Sequence, residues 1–170
     1  GGQSSRMGQD KAILNRDHRD MFRYTLDQLE NMQLNGIVVS RNDSQVLPLN
    51  SLPLITDLYP QAGPLGGIHA ISQKVSADGV LIVPIDMPML VTEDLQRLVN
   101  VGNQLNKPAY FKDTFLPLYL PLNPCVRDYL EKVVLGKINN RSVRALCNYF
   151  GGISLQAQST ERLLNTNTPQ

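Results

Sequence analysis

The chain has 170 residues, 42% of them apolar and 18% charged, which is enough for one folded domain with a real core and is not the composition of a disordered segment. A net charge of +1 gives no electrostatic basis for binding nucleic acid or lipid, so any anion must be gripped by local charge. No apolar run approaches the roughly 20 residues needed to cross a bilayer, and no signal peptide is visible.

The chain opens on Gly1-Gly2-Gln3-Ser4-Ser5-Arg6-Met7-Gly8-Gln9-Asp10-Lys11, where glycines, hydroxyls and two cations sit together with almost no apolar content. Glycine lets a backbone turn tightly and aim its N–H groups at an anion. The stretch therefore reads as a polyphosphate cradle, with a flexible tail as the alternative. It runs directly into Ala12-Ile13-Leu14, which ties it to folded structure. It fits neither the dinucleotide fingerprint nor the P-loop, whose glycine spacings are absent. Such a cradle belongs after a buried strand, so a leading strand is expected upstream of Gly1.

Phe22, Leu26, Leu29 and Met32 then recur at helical spacing, with Arg23, Asp27 and Gln28 on the other side. Gly36 ends that element. Ile37-Val38-Val39 reads as a buried strand and Leu52-Pro53-Leu54-Ile55-Thr56 as a weaker one. A helix is expected over 68–75 and a strong buried strand over Gly79-Val80-Leu81-Ile82-Val83. Leu95 and Leu98 support a helix after Thr92. Tyr110-Phe111 and 116–120 read as strands, 126–134 and 143–150 as helices, and 153–155 as a last short strand. This alternation predicts a single α/β domain over 1–170, with a mostly parallel sheet covered by helices on both faces. Cys125 and Cys147 have neither metal nor redox spacing and read as buried free thiols of a reducing cytosol. His18 and His69 are far apart and make no zinc pattern.

In such a sheet, ligands bind beyond the carboxyl ends of the strands. Polar residues collect there: Ser40, Arg41, Asn42 and Asp43 after the first strand, Asp57 after the second, and Asp86 after the third. Asp86 is fixed between Pro84 and Pro88. It suits a hard cation such as Mg²⁺, which takes only one or two carboxylates beside phosphates and water. A helix N-cap or an Asp turn ahead of Thr92 explains it equally well. Asp57 is either a turn former or an acceptor for a base or ribose. Gly63, Gly66 and Gly67 would let the loop after it pass close to a flat ring. Lys11 and Arg6 are either solvated cations or phosphate ligands. Lys11 could neutralise charge as pyrophosphate separates, and Arg6 has a fork suited to phosphate.

Taken in order, these segments carry a resemblance. Gly1-Gly2-x-Ser4-Ser5-Arg6-Met7-Gly8-x-Asp10-Lys11 resembles the signature loop of nucleotidyltransferases of the nucleotide-diphospho-sugar transferase fold. Asp57 with Gly63-Pro64-Leu65-Gly66-Gly67 is similar to the second motif, and Ile85-Asp86-Met87-Pro88 to the third. Asn165-Thr166-Asn167-Thr168-Pro169 resembles the closing motif of molybdenum cofactor guanylyltransferases. The order and spacing of all four match that family over essentially the whole chain.

The resemblance implies a three-layer α/β/α Rossmann-like fold with a mostly parallel mixed sheet. It implies a cytoplasmic enzyme that transfers GMP from GTP to molybdopterin and releases pyrophosphate, with Mg²⁺ as cofactor. It also implies transient contact with the proteins that supply and accept the cofactor. Gly1 and Gly2 would hold the nucleotide through backbone N–H groups. Lys11 and Arg6 would serve the phosphates, Asp57 the nucleotide and Asp86 the metal ion. Asn165 and Asn167 would hold the pterin. The family often places Asn where this chain has Ser40, with Asn42 two residues later, so both belong to the expected nucleotide set. Phe115-Leu116-Pro117 stands where many members have His or Gln before Pro. The alternatives are a related enzyme that uses CTP or a sugar-phosphate acceptor, and a non-catalytic nucleotide-binding module.

Overall fold

The computed structural model describes residues 11–41, 52–159 and 163. Helices and strands alternate through them as α1 (Lys11–Glu30), β1 (Val39–Arg41), β2 (Leu54–Thr56), α2 (Pro64–Lys74), β3 (Gly79–Ile82), α3 (Thr92–Leu105), β4 (Ala109–Phe111), β5 (Leu118–Pro121), α4 (Pro124–Val134), α5 (Val143–Tyr149) and β6 (Ile153–Leu155). A 3-10 turn at Pro60–Ala62 leads into α2. Strands β1 and β2 pair in parallel, and a second sheet has the order β3-β5-β4-β6. In that sheet β5 is antiparallel to both neighbours while β4 and β6 are parallel. Hence β3, β4 and β6 share one direction and β5 alone is reversed, which gives the mixed, mostly parallel arrangement expected from the alternation.

Side chains alternate across this sheet into two cores. Leu118 and Leu120 of β5 join Leu65 and Ile68 of α2, Val126, Leu130 and Val133 of α4, and Leu146 of α5. Tyr119 points the opposite way, into a cluster with Met32, Met87, Leu90, Leu95, Leu98 and Phe111. Val80 and Ile82 of β3 pack on the first cluster and Leu81 on the second. A strand buried on both faces must be apolar at every position, and all of β5 is buried. The result is the α/β/α layering: α2, α4 and α5 cover one face, α3 and the end of α1 the other.

Tyr119 shows how closely the layers approach. Its ring, 5% exposed, lies between α3 and β3. A Cβ at Gly102 would stand 2.8 Å from its Cε1 and Cγ and closer still to Cδ1; one at Gly79 would stand 2.7 Å from Cζ. Both positions admit glycine because the tyrosine ring already fills the space a side chain would take.

The helix starts are individually secured. In α4, Pro124 takes the first turn and the Asn123 side chain accepts from Val126 N–H at 3.0 Å. In α5, Ser142 accepts from Ala145 N–H at 3.1 Å. Helix α3 is capped from outside. Gln28 Oε1 on α1 accepts from Thr92 N–H at 3.0 Å and from the Thr92 hydroxyl at 2.9 Å.

Several sequence expectations are corrected here. Gln28 does not lie on a solvent side of α1, because its amide oxygen is the cap of α3. Cys125 is exposed near the start of α4, and only Cys147 is buried. Helix α2 begins at Pro64 rather than near Ile68, so Gly66 and Gly67 belong to its first turn. Strand β1 is shifted two residues along, to Val39–Arg41, where it meets β2 in register from Val39↔Leu54 to Arg41↔Thr56. Lys11 is the first residue of α1 rather than the last residue of a loop.

Candidate functional site

Strands β1 and β2 end side by side, and α2 begins directly beneath their ends. At the tip of β2, Asp57 turns back on its own chain: Oδ1 accepts from Tyr59 N–H at 2.8 Å, the geometry of an Asx turn. The carboxylate lies over the first turn of α2. A Cβ at Gly66 would stand 2.7 Å from Asp57 Oδ1 and 2.9 Å from Oδ2. Ser40, the middle residue of β1, reaches the next helical position, with its Oγ 2.9 Å from where a Cβ of Gly67 would be. Ser40, Asp57, Gly66 and Gly67 thus form one contiguous constellation. Asp57 is half-buried, and among the described residues only its Oδ1 takes part in a hydrogen bond. Asp57 is therefore both the turn former and a candidate ligand-binding group.

Behind this constellation α2 is fixed against α4. His69, one turn further along and 6% exposed, places Nε2 2.7 Å from Glu131 Oε2. The Tyr59 ring meets the imidazole edge-on at a centroid distance of 5.5 Å. The helix that carries Gly66 and Gly67 is thus fixed in rotation by contacts on its far side.

Asp86 stands just past the carboxyl end of β3, in the connection 83–91. It is half-buried, and its Oδ1 is shielded from solvent. The neighbouring Met87 inserts into the core beside Met32, Leu90 and Leu95, which anchors the segment from below. The N-cap of α3 is Val91, so Asp86 is not a helix cap. Helix α1 is fastened to the same connection twice: Tyr24 Oη donates to Leu90 C=O at 2.8 Å, and Gln28 caps Thr92. The helix that begins at Lys11 therefore packs on the segment that carries Asp86.

Of the expected site residues, Ser40 and Asp57 are brought together and Asp86 lies at a strand end as predicted. Lys11 is placed by its backbone at the start of α1. Gly1, Gly2, Arg6, Asn42, Asn165 and Asn167 lie outside the described residues. Sequence reading missed Tyr59, whose N–H orients Asp57. An Asp two residues ahead of the residue before a Pro, as in Asp57-Leu58-Tyr59-Pro60, is a turn signal that could have found it. It also missed Tyr24 and Gln28, whose roles depend on a contact 66 and 64 residues away in sequence.

The profile of the MobA-like NTP transferase domain matches residues 1–146. Over its full length the chain is 33% identical to the molybdenum cofactor guanylyltransferase of Xanthomonas euvesicatoria pv. vesicatoria, of which 87% is covered. It is 32% identical, over 99% of its length, to the enzyme of the same name from Yersinia pestis, of which 88% is covered. Two solved structures share the fold. Molybdopterin-guanine dinucleotide biosynthesis protein A from Archaeoglobus fulgidus superposes with a TM-score of 0.67 at 21% identity, over 88% of this chain and 80% of that one. The 2-C-methyl-D-erythritol 4-phosphate cytidylyltransferase from Thermus thermophilus gives 0.66 at 11% identity, over 88% of this chain and 83% of that one. The chain belongs to the MobA-like NTP transferase family and is a nucleotidyltransferase.

Proposed function

We propose that this nucleotidyltransferase transfers GMP from GTP to molybdopterin, forming the guanine dinucleotide cofactor and releasing pyrophosphate. What carries the reading is the likeness, along the whole chain, to relatives named molybdenum cofactor guanylyltransferase. The strand-end constellation supports it. The Asp57 carboxylate, at the end of β2, is an acceptor of the kind that takes the N–H donors of a guanine edge or a ribose hydroxyl. Ser40 borders it in space, and Asn42 follows Ser40 closely in sequence. The reading covers one domain over 1–170, acting in the cytoplasm. Among the described residues no helix is long and apolar enough to cross a membrane.

In the reaction, a terminal phosphate oxygen of the pterin bonds to the α-phosphorus of GTP, and the bond to the β-bridging oxygen breaks. Negative charge grows on that oxygen and on the leaving pyrophosphate. Lys11, Arg6 and the backbone N–H groups of Gly1 and Gly2 stabilise it, and Asn165 and Asn167 orient the acceptor. Asp86 fits a hard divalent ion. It offers a carboxylate oxygen at a strand end, and among the described residues no group of three or more His, Cys, Asp or Glu surrounds it. A divalent ion held by Asp86 would take its other ligands from phosphate and water, as Mg²⁺ commonly does. When bound there, Mg²⁺ supplies charge compensation to the phosphate oxygens. No covalent enzyme intermediate is needed.

Nucleotide protection tests the specificity. GTP with Mg²⁺ should raise the melting temperature and CTP should not; protection by CTP alone would replace the guanylyl reading with a cytidylyl one. A chain that binds GTP yet releases no pyrophosphate with molybdopterin present would be a binding module. Asp86→Asn should abolish turnover with the fold intact. Lys11→Ala should lower turnover more than nucleotide affinity, because its charge acts mainly in the transition state.

A further inference from the structure

The space that side chains at Gly66 and Gly67 would take is filled by the protein's own polar groups. Neither residue has a positive φ, so backbone conformation does not demand glycine, and alanine is favoured over glycine inside a helix. The cause is close approach. A methyl at 66 would meet both carboxylate oxygens of Asp57 and, more tightly still, the carbonyl oxygen of Tyr59. That carbonyl is main chain, and Asp57 Oδ1 is tied to the N–H of the same residue. Acid and tether must therefore move together if anything is added at 66. At 67, among the described residues outside the helix's own turn, an added Cβ would meet Ser40 Oγ.

We propose that Gly66 is a positioning residue: by withholding a side chain it lets the Asp57 carboxylate dock on the first turn of α2, and so holds the acid where it contacts the nucleotide. Gly67 does the same for Ser40. The start of α2 carries the positive end of a helix dipole, which favours a carboxylate there. With Asp57 already in place, that helix start is no cradle for the triphosphate. On this reading the uncharged base or sugar, rather than the triphosphate, lies at that helix start. The inference rests on the reading of Asp57 as a nucleotide contact.

A double-mutant cycle tests it, with GTP dissociation constants measured by calorimetry on Asp57→Asn, Gly66→Ala and the double variant. Asp57→Asn should weaken GTP about tenfold or more, the loss of one charge-assisted hydrogen bond. Gly66→Ala should weaken it by a similar factor. The double variant should bind no more weakly than Asp57→Asn alone, since Gly66 acts only through that acid. Losses that multiply, or a Gly66→Ala protein that binds like the parent, overturn the proposal and leave the nucleotide role of Asp57 standing. If Asp57→Asn itself leaves affinity unchanged, the nucleotide role fails and the proposal with it. Should Gly66→Ala not fold, Gly67→Ala with Ser40→Ala runs the same cycle. Removing Oγ should then erase whatever Gly67→Ala costs, and persistence of that cost counts against the mechanism.

Discussion

Replacing Gly102 by alanine pits two known effects against each other. In an open helix the change gains about 1 kcal/mol. At this position the new methyl would stand 2.8 Å from Cε1 and Cγ of Tyr119, where ordinary contact begins near 3.4 Å. The ring has nowhere to go. It is 5% exposed, its far part rests against Gly79, and its hydroxyl lies 3.4 Å from Asn103 Oδ1. Overpacking a filled core costs about 1–3 kcal/mol, and rigid ring atoms put this case toward the upper end. The net expectation is a loss of about 1–2 kcal/mol, or a fall in Tm of roughly 2–8 °C for a chain of this size. Urea denaturation followed by far-UV circular dichroism measures it, since the chain has no Trp. In a Tyr119→Leu background the same substitution should cost less, because the ring it strikes is gone. A Gly102→Ala protein at least as stable as the parent would refute the steric argument and show that helix propensity outweighs the clash.

The two thiols should differ sharply. Cys125 is exposed, while burial pushes the Cys147 thiol up to about 12, leaving about one molecule in ten thousand as thiolate at pH 8. Native protein should release one equivalent of chromophore quickly from a disulfide reagent and a second only after unfolding; two fast equivalents would contradict the burial. The same shift makes stability fall as pH rises from about 9 toward 12, because the unfolded chain loses a proton that the folded one keeps. The slope is about 1.4 kcal/mol per pH unit, and Cys147→Ala should remove that part of it. Gln28→Ala should cost about 1 kcal/mol and speed amide exchange at 92–95 by uncapping α3. Gln28→Glu keeps an acceptor and should recover most of the loss; unchanged exchange in Gln28→Ala would show that the cap contributes nothing.

What could be read from the residues alone follows from where their determinants lie. Gly79-Val80-Leu81-Ile82 was legible as a strand because its unbroken apolar run packs on both clusters, although each of its residues is half-buried rather than buried as expected, and α3 because Leu95 and Leu98 mark a single buried stripe. The reversal of β5 was not legible, since a fully buried strand has the same composition in either direction. The first turn of α2 read as loop because Gly66 and Gly67 disfavour helix locally. The reason for them lies on β1 and just past β2, in Ser40 and Asp57. Strand β1 was displaced because its apolar residues precede the pairing, while register with Leu54–Thr56 selects the more polar Val39–Arg41. The strand-end positions of the candidate residues were legible, because Asp57 and Asp86 follow apolar runs. Its supporting contacts from Tyr59, Tyr24 and Gln28 were not, because none advertises itself in composition.

The direction of β5 has a spatial consequence for whatever approaches Asp86. Ile82 pairs with Leu118, so the residues leaving β3 lie beside those entering β5. The turn that enters β5 is the short hairpin 112–117 coming from β4, and Lys112 N–H is bonded there to Leu155 C=O at the exit of β6. A parallel strand at this position would have required a crossover helix. With the hairpin instead, the link from β4 to β5 lays no helix over that flank of the acid.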